Sequence, residues 1–153
     1  MKRCVTYAVL FMALVAGCAR DEGFQVYHRF TDHIWYRFNI LQFEIPVQKT
    51  EKPVNLVFFA RHDREYPFDS LAFNLVMKVP GGGERIRECR IRVKDTRGNF
   101  LGTFQGDSCE MTCMLARDML IPSDGVLTVE LENLVPRMRT TGLYGVGIRL
   151  EKP

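Results

Sequence analysis

Hydrolytic, nucleophilic or metal chemistry in this chain would have to come from three histidines, eighteen acids, five cysteines and a few serines. The serines are Ser70, Ser108 and Ser123, and none sits in a G-x-S-x-G nucleophile elbow. No H-E-x-x-H, Walker loop or dinucleotide fingerprint is present. Gly81-Gly82-Gly83 lacks the lysine and following helix of a phosphate cradle, and reads as a hairpin loop. Asp107 and Glu110 could form a carboxylate pair for glycoside hydrolysis. A chain with 18 acids offers many such pairs, and solvated loop acids are the simpler reading. His62 beside Asp63 suggests a catalytic pair, but no nucleophile accompanies it. Cys89, Cys109 and Cys113 match no usual zinc spacing, and His28, His33 and His62 lie far upstream. The sequence therefore nominates no catalytic residue, no metal ligand and no cofactor.

One cysteine does carry a chemical expectation. Met1-Lys2-Arg3 is a basic tip, and an apolar or weakly polar stretch follows from Val5 to Val15. Eleven helical residues cover about 16 Å, half of a bilayer core of about 30 Å, which suits a secretory leader but not a membrane span. The leader ends in Val15-Ala16-Gly17-Cys18, which resembles the bacterial lipobox. In that system Cys18 takes a diacylglyceryl thioether, the chain is cut after Gly17, and the new amine is acylated. Two or three acyl chains make an effectively permanent anchor. Ala19 follows where many inner-membrane lipoproteins carry Asp, which favours the outer membrane. Arg20-Asp21-Glu22 resembles a short surface-export signal, so the periplasmic face and the cell surface both stay open.

Loss of the leader removes Lys2 and Arg3 and no acid, so the net charge falls from +3 to +1. Bases and acids are interspersed without a like-charge block, which argues against a nucleic-acid partner. The remaining cysteines, Cys89, Cys109 and Cys113, would occupy a compartment that permits disulfides. On a strand, Cys109 and Cys113 would stand about 13 Å apart, too far to bridge; in a turn they could meet. One of them could instead pair with Cys89. The pairing stays open, with one thiol left over.

Short alternating runs must position all of this. In residues 71–79 every odd position is apolar, the signature of a strand with one buried face. Cys89, Ile91 and Val93 alternate with Glu88, Arg90, Arg92 and Lys94, and residues 95–99 read as the turn that follows. Leu127, Val129 and Leu131 form another inward stripe; Tyr144, Val146, Ile148 and Leu150 form the last. Residues 35–46 read as one strand with a bulge at Ile40-Leu41, residues 54–60 as a second, and residues 100–104 as a short one. Residues 113–121 are ambiguous: Met111, Met114, Leu115 and Met119 have partly helical spacing, yet Pro122 and the Ser123-Asp124-Gly125 turn close the run as a strand. The expectation is all-β: a single β-sandwich, immunoglobulin-like or jelly-roll-like, of about seven to eight strands behind a cleaved lipoprotein signal. The divisions are residues 1–17 (signal peptide), 18–26 (lipid-anchored tether) and 27–153 (β-sandwich).

The segment between two of these strands, residues 62–69, packs both charge signs and two aromatics around a proline. Tyr66, Pro67, Phe68 and Asp69 are the candidate partner contact. The competing reading is that Tyr66 and Phe68 fold back and plug the end of the domain. Arg85, Arg87, Arg90 and Arg92 line one strand region, with Arg90 and Arg92 on the exposed face and Arg85 and Arg87 on the other phase. A solvated face is the default, with an acidic partner or anionic lipid as the alternative.

The loop and its flanks carry a resemblance. Residues 55–61, then Glu65-Tyr66-Pro67-Phe68-Asp69-Ser70-Leu71, then Val76-Met77-Lys78-Val79-Pro80-Gly81-Gly82 resemble the GldH family of gliding-motility-associated lipoproteins. Residues 95–102, Ile121-Pro122-Ser123-Asp124-Gly125 and Gly147-Ile148-Arg149-Leu150-Glu151-Lys152 are similar to further family motifs, in order along nearly the whole mature chain. Ser70 departs from a frequent Asn, the approach to the last strand is shorter, and the three cysteines look like local additions. The resemblance implies a lipid-anchored envelope protein of Bacteroidetes-type bacteria, linked to gliding and the type IX secretion apparatus, with no known enzyme activity. Of the family's features only Cys18 transfers as a site residue.

The expected function is thus a non-enzymatic accessory or scaffold protein, at the outer membrane through its lipid and in contact with envelope proteins. The alternative is a small binding module for glycan or another extracellular ligand, stacking on Trp35, Tyr36 and Tyr144. A hydrolase ranks third.

Overall fold

The computed structural model describes residues 23–153. Cys18, the leader and the first residues of the tether lie outside the described residues. The domain is all-β and antiparallel, with eleven strands in chain order. They are β1 (Gln25–Arg29), β2 (Ile34–Tyr36), β3 (Leu41–Val47), β4 (Thr50–His62), β5 (Ser70–Val79), β6 (Gly83–Arg92), β7 (Thr103–Gln105), β8 (Ser108–Ile121), β9 (Gly125–Asn133), β10 (Arg139–Thr141) and β11 (Leu143–Glu151). One sheet runs β1-β11-β4-β8-β7, a second β3-β9-β5-β6, and β10-β2 forms a two-stranded ribbon.

Eleven strands in three sheets replace the expected single sandwich of seven to eight. β1 and β10 are additional strands, and residues 35–46 are not one bulged strand but two. Tyr36 O accepts from Asn39 N, a turn that ends β2 and redirects the chain into β3 in a different sheet. Trp35 anchors that turn, with its indole Nε1–H donating to Asn39 O at 2.9 Å. Gln25 and Val26, assigned from sequence to the tether, already belong to β1 and pair with Arg149 and Ile148 of β11.

The inward stripes meet as their spacing requires. Leu127, Val129 and Leu131 of β9, Leu71, Phe73, Leu75 and Met77 of β5, and Leu56, Phe58 and Ala60 of β4 belong to one buried cluster. Phe58 and Phe73, from the two main sheets, meet with ring centroids 4.6 Å apart. Burial of each such side chain stabilises the fold by about 1.5–3 kcal/mol relative to leaving it exposed.

Central strand β4 is buried on its outer side as well. Phe59 faces away from the core yet is only 1% exposed. Tyr27, Gly147 and Phe59 stand in one row across β1, β11 and β4. The missing side chain of Gly147 lets the two rings lie parallel, 5.7 Å apart and within 8°. Arg61 and Arg149 cover them, the Arg149 guanidinium lying 4.7 Å from the Phe59 centroid, and Glu110 accepts at 3.0 Å from each arginine.

Candidate functional site

The segment after β4 is fixed from both sides. Asp63 Oδ1 accepts from Glu65 N at 2.9 Å, and Asp63 N donates to Gly142 O at 2.9 Å. Arg64 reaches the β7–β8 turn, donating to Gly106 O at 3.2 Å and lying 4.2 Å from the Phe104 ring centroid. The chain then folds back, and Tyr66 is 1% exposed. Its ring meets His62 and Phe68, its hydroxyl donates to Ser70 O at 3.4 Å, and burial pushes its phenol far above the usual range. Tyr66 is a plug, and cannot be offered to a partner without unfolding this end.

Phe68 divides its surface, half-buried against the core, while Pro67 and Asp69 are exposed. The Asp69 carbonyl accepts from Val93 N and Lys94 N, tying the loop to the end of β6. Pro67 and Phe68 share an open depression with Arg137, Met138, Arg139 and Thr141. Met138 is 61% exposed, and its carbonyl accepts from Arg37 N, which draws the β2–β10 ribbon into the same surface. Among the described residues neither Arg137 nor Arg139 makes an ion pair. The contact candidate is therefore apolar with a cationic rim, and Met138, Arg137 and Arg139 join it. They escaped notice because nothing in residues 134–141 alternates.

This surface lies at a definite end of the domain. Along β11 and β4 the pairs run from Glu151↔Asn55 to Leu143↔His62. Seven residue steps at about 3.4 Å separate the two ends by roughly 24 Å. The chain enters at the first end, where Leu150 N donates to Phe24 O. The loop after His62 stands at the other.

The remaining candidates resolve into structural roles. His62 is wholly buried on the inner face of β4. Its Nδ1 lies 2.7 Å from Asp63 O, an acceptor only, so Nδ1 carries the proton and donates. Nε2 is buried without a partner. Burial pulls the imidazole pKa down against the opposing pull of that carbonyl bond. A neutral, enclosed histidine with Tyr66 and Phe100 against its faces has no route to substrate. Asp107 and Glu110 do not form a carboxylate pair: Glu110 is held by Arg61 and Arg149, and Asp107, almost fully exposed, faces Arg64 at 3.7 Å.

Trp35 is 0% exposed, so it offers no ring for sugar stacking; Tyr144 is half-buried against His33, and Tyr36 remains at the surface. On β6, Arg90 pairs with Glu88 at 3.5 Å. Arg87, on the inward phase, donates through Nη2 to the carbonyls of Met114 and Leu115 on β8. Cys109 and Cys113 share the single strand β8, which rules out a bond between them, and all three described cysteines are free thiols. Among the described residues no group of three or more His, Cys, Asp or Glu side chains is placed to hold a metal ion.

The domain is thus an all-β body of antiparallel sheets with an open depression lined by Pro67, Phe68 and Met138 at one end. Residues 22–150 match the model of the GldH lipoprotein family, and the chain belongs to that family. It is similar to the gliding motility lipoprotein GldH of Flavobacterium johnsoniae, with 22% identity over 151 residues, covering 94% of this chain and 93% of that protein. No solved structure matches the chain.

Proposed function

We propose that this protein is a lipid-anchored, non-enzymatic scaffold or accessory subunit of the cell envelope, of the kind that serves gliding motility and type IX secretion. Cys18 carries the lipid, at the outer membrane. Family membership supports the anchor and the motility association. The observation that carries the scaffold reading is the opposition of the two ends. The chain enters the domain beside Leu150, and the Pro67, Phe68 and Met138 surface lies at the opposite end of β4 and β11. An anchor at one end and a rigid apolar contact at the other suit a spacer that presents a partner at a set height. Anchoring also raises the effective concentration of that surface at the membrane.

The test compares affinity purification of the natural protein from detergent-solubilised membranes with that of a Phe68→Ala, Met138→Glu double variant. Natural protein should recover a fixed set of envelope proteins, and the variant should lose them while melting within a few degrees of wild type. Equal recovery by both would remove the contact surface from the proposal. Recovery of the natural protein alone would sink the scaffold reading. A ligand-binding module is less well supported, since its only tryptophan is enclosed.

A further inference from the structure

The two main sheets are open along one side. Among the described residues, strand β6 pairs only with β5, and β8 beyond Glu110 pairs only with β4. Arg87 spans that side, reaching from β6 to the carbonyls of β8, so β6 lies over β8. Directly beneath, the registers bring two cysteines together. On one sheet Cys113 stands opposite Phe58, on the same face. On the other sheet Cys89 stands opposite Phe73, again on the same face. Phe58 and Phe73 are themselves in ring contact across the core. Stepping one strand outward from each ring, toward the side spanned by Arg87, arrives at Cys113 on one sheet and Cys89 on the other. Cys89 is in the core and Cys113 packs against it, half-buried at the mouth.

The electrostatics agree with this placement. Burial raises the Cys113 thiol, and the next contribution is a further rise from Cys89 itself. Arg87 acts in the opposite sense on both thiols. Cys109 has no such partner. It stands opposite His62, one strand end away, and its sulfur lies under Gly102, where an added Cβ would come within 2.7 Å.

We infer that Cys89 and Cys113 form an inter-sheet disulfide in the exported protein, joining the edges of the two main sheets and leaving Cys109 as a buried thiol. The same device, a cystine crossing between two facing sheets, staples antibody domains. Two S–H bonds break and one S–S bond forms. The oxidant is a disulfide-carrying thiol oxidoreductase of the envelope. The Cys113 thiolate, the more accessible, attacks the carrier disulfide and gives a mixed disulfide. The first attack breaks the carrier's S–S bond; the Cys89 thiolate then displaces the carrier, which leaves with the electron pair and takes up the two protons given up by Cys89 and Cys113, becoming its dithiol. The structure holds the dithiol form, and closure requires the two Cα atoms to settle within about 4.4–6.8 Å.

The experiment uses the full lipoprotein taken directly from cell envelopes into denaturant with an alkylating reagent. Digestion with trypsin and a Glu-specific protease cuts after Glu110 and so separates Cys109 from Cys113. Alkylation should fall on Cys109 alone, and mass spectrometry should find a linked peptide containing Cys89 and Cys113 that a phosphine reductant splits. Cys89→Ser and Cys113→Ser should each add one alkylated thiol, whereas Cys109→Ser should leave the linked peptide in place. The readout is made in denaturant, so it does not depend on whether a variant folds. Alkylation of all three cysteines in wild-type material, or a linked peptide containing Cys109, would overturn the inference. Neither result touches the scaffold reading, which rests on the opposite ends of the domain.

Discussion

Acid should weaken this fold through one side chain. His62 is enclosed and neutral, its Nδ1–H is committed to Asp63 O, and its buried Nε2 has no acceptor to meet a second proton. Burial lowers its folded pKa, whereas in the unfolded chain it titrates at about 6.5. Below that pH the unfolded state binds the extra proton, so stability is full above about 6.5 and declines as pH falls toward the folded value. The unfolded-state pKa sets the ceiling: protonation of the unfolded chain can remove up to about 2 kcal/mol between pH 7.5 and 5, since each pH unit below 6.5 is worth about 1.4 kcal/mol. That is a large share of the 5–15 kcal/mol typical of a domain. The assay is urea denaturation of wild type and His62→Phe at pH 7.5, 6.5, 5.5 and 5. Phenylalanine keeps a ring against Tyr66 and Phe100 and removes the titration. His28 and His33 are present in both proteins and cancel. A floor of pH 5 also excludes Asp95, whose carboxyl is held down chiefly by the Asn99 side chain and which loses its contribution only at lower pH. The wild-type loss should vanish in the variant; parallel pH curves would refute the reasoning.

Asn133 ends β9 wholly buried, with Nδ2 donating to Trp35 O and Thr140 Oγ1 and Oδ1 accepting from Val135 N. Asn133→Leu leaves those groups unpaired and should cost roughly 2–4 kcal/mol, read from the urea midpoint; a change within error would show that water takes over the bonds. Gly147→Ala drives a methyl into the Phe59 ring and the Val26 carbonyl, and should cost about 1–3 kcal/mol. In a Phe59→Leu background the same substitution should cost less but still destabilise, because the Val26 carbonyl cannot turn away; thermal melting of the four proteins checks both statements.

Legibility in the sequence followed side-chain direction. Residues 71–79 and the stripe of Leu127, Val129 and Leu131 were plain because a half-buried strand with unbroken pleat alternates. Strand β8 was obscure for a structural reason: its register against β4 slips between Val54 and Leu56 and again before Val57, and Asp118 has a φ of 49°. Each slip resets the alternation, and Met111, Met114, Leu115 and Met119 then imitate helical spacing. The turn after Tyr36 was hidden because Phe38 and Ile40, apolar in type, are solvent-exposed and look like continuing strand. At the candidate contact, residue types singled out the loop but could not say which aromatic turns inward. Tyr66 takes the core and Phe68 the boundary, a choice set by Pro67 between them and by the fixing of Asp63 and Asp69. Asn133 and Met138 had no pattern to announce them, since both owe their roles to pairing with distant segments.

The antiparallel pairing of β1 with β11 also determines how the protein would bear a load. The chain enters at Gln25, and its first strand runs away from that point toward the end that carries Phe68 and Met138. Tension between a fixed foot and a tugging partner at the far end therefore acts parallel to β1, across hydrogen bonds that lie perpendicular to it. Loaded that way the β1–β11 bonds share the force and must fail together, whereas a strand pulled sideways would peel open one bond at a time. In the scaffold role proposed above, a moving envelope machine would strain its parts repeatedly, and this connectivity places the chain's entry on the strand direction that resists such strain.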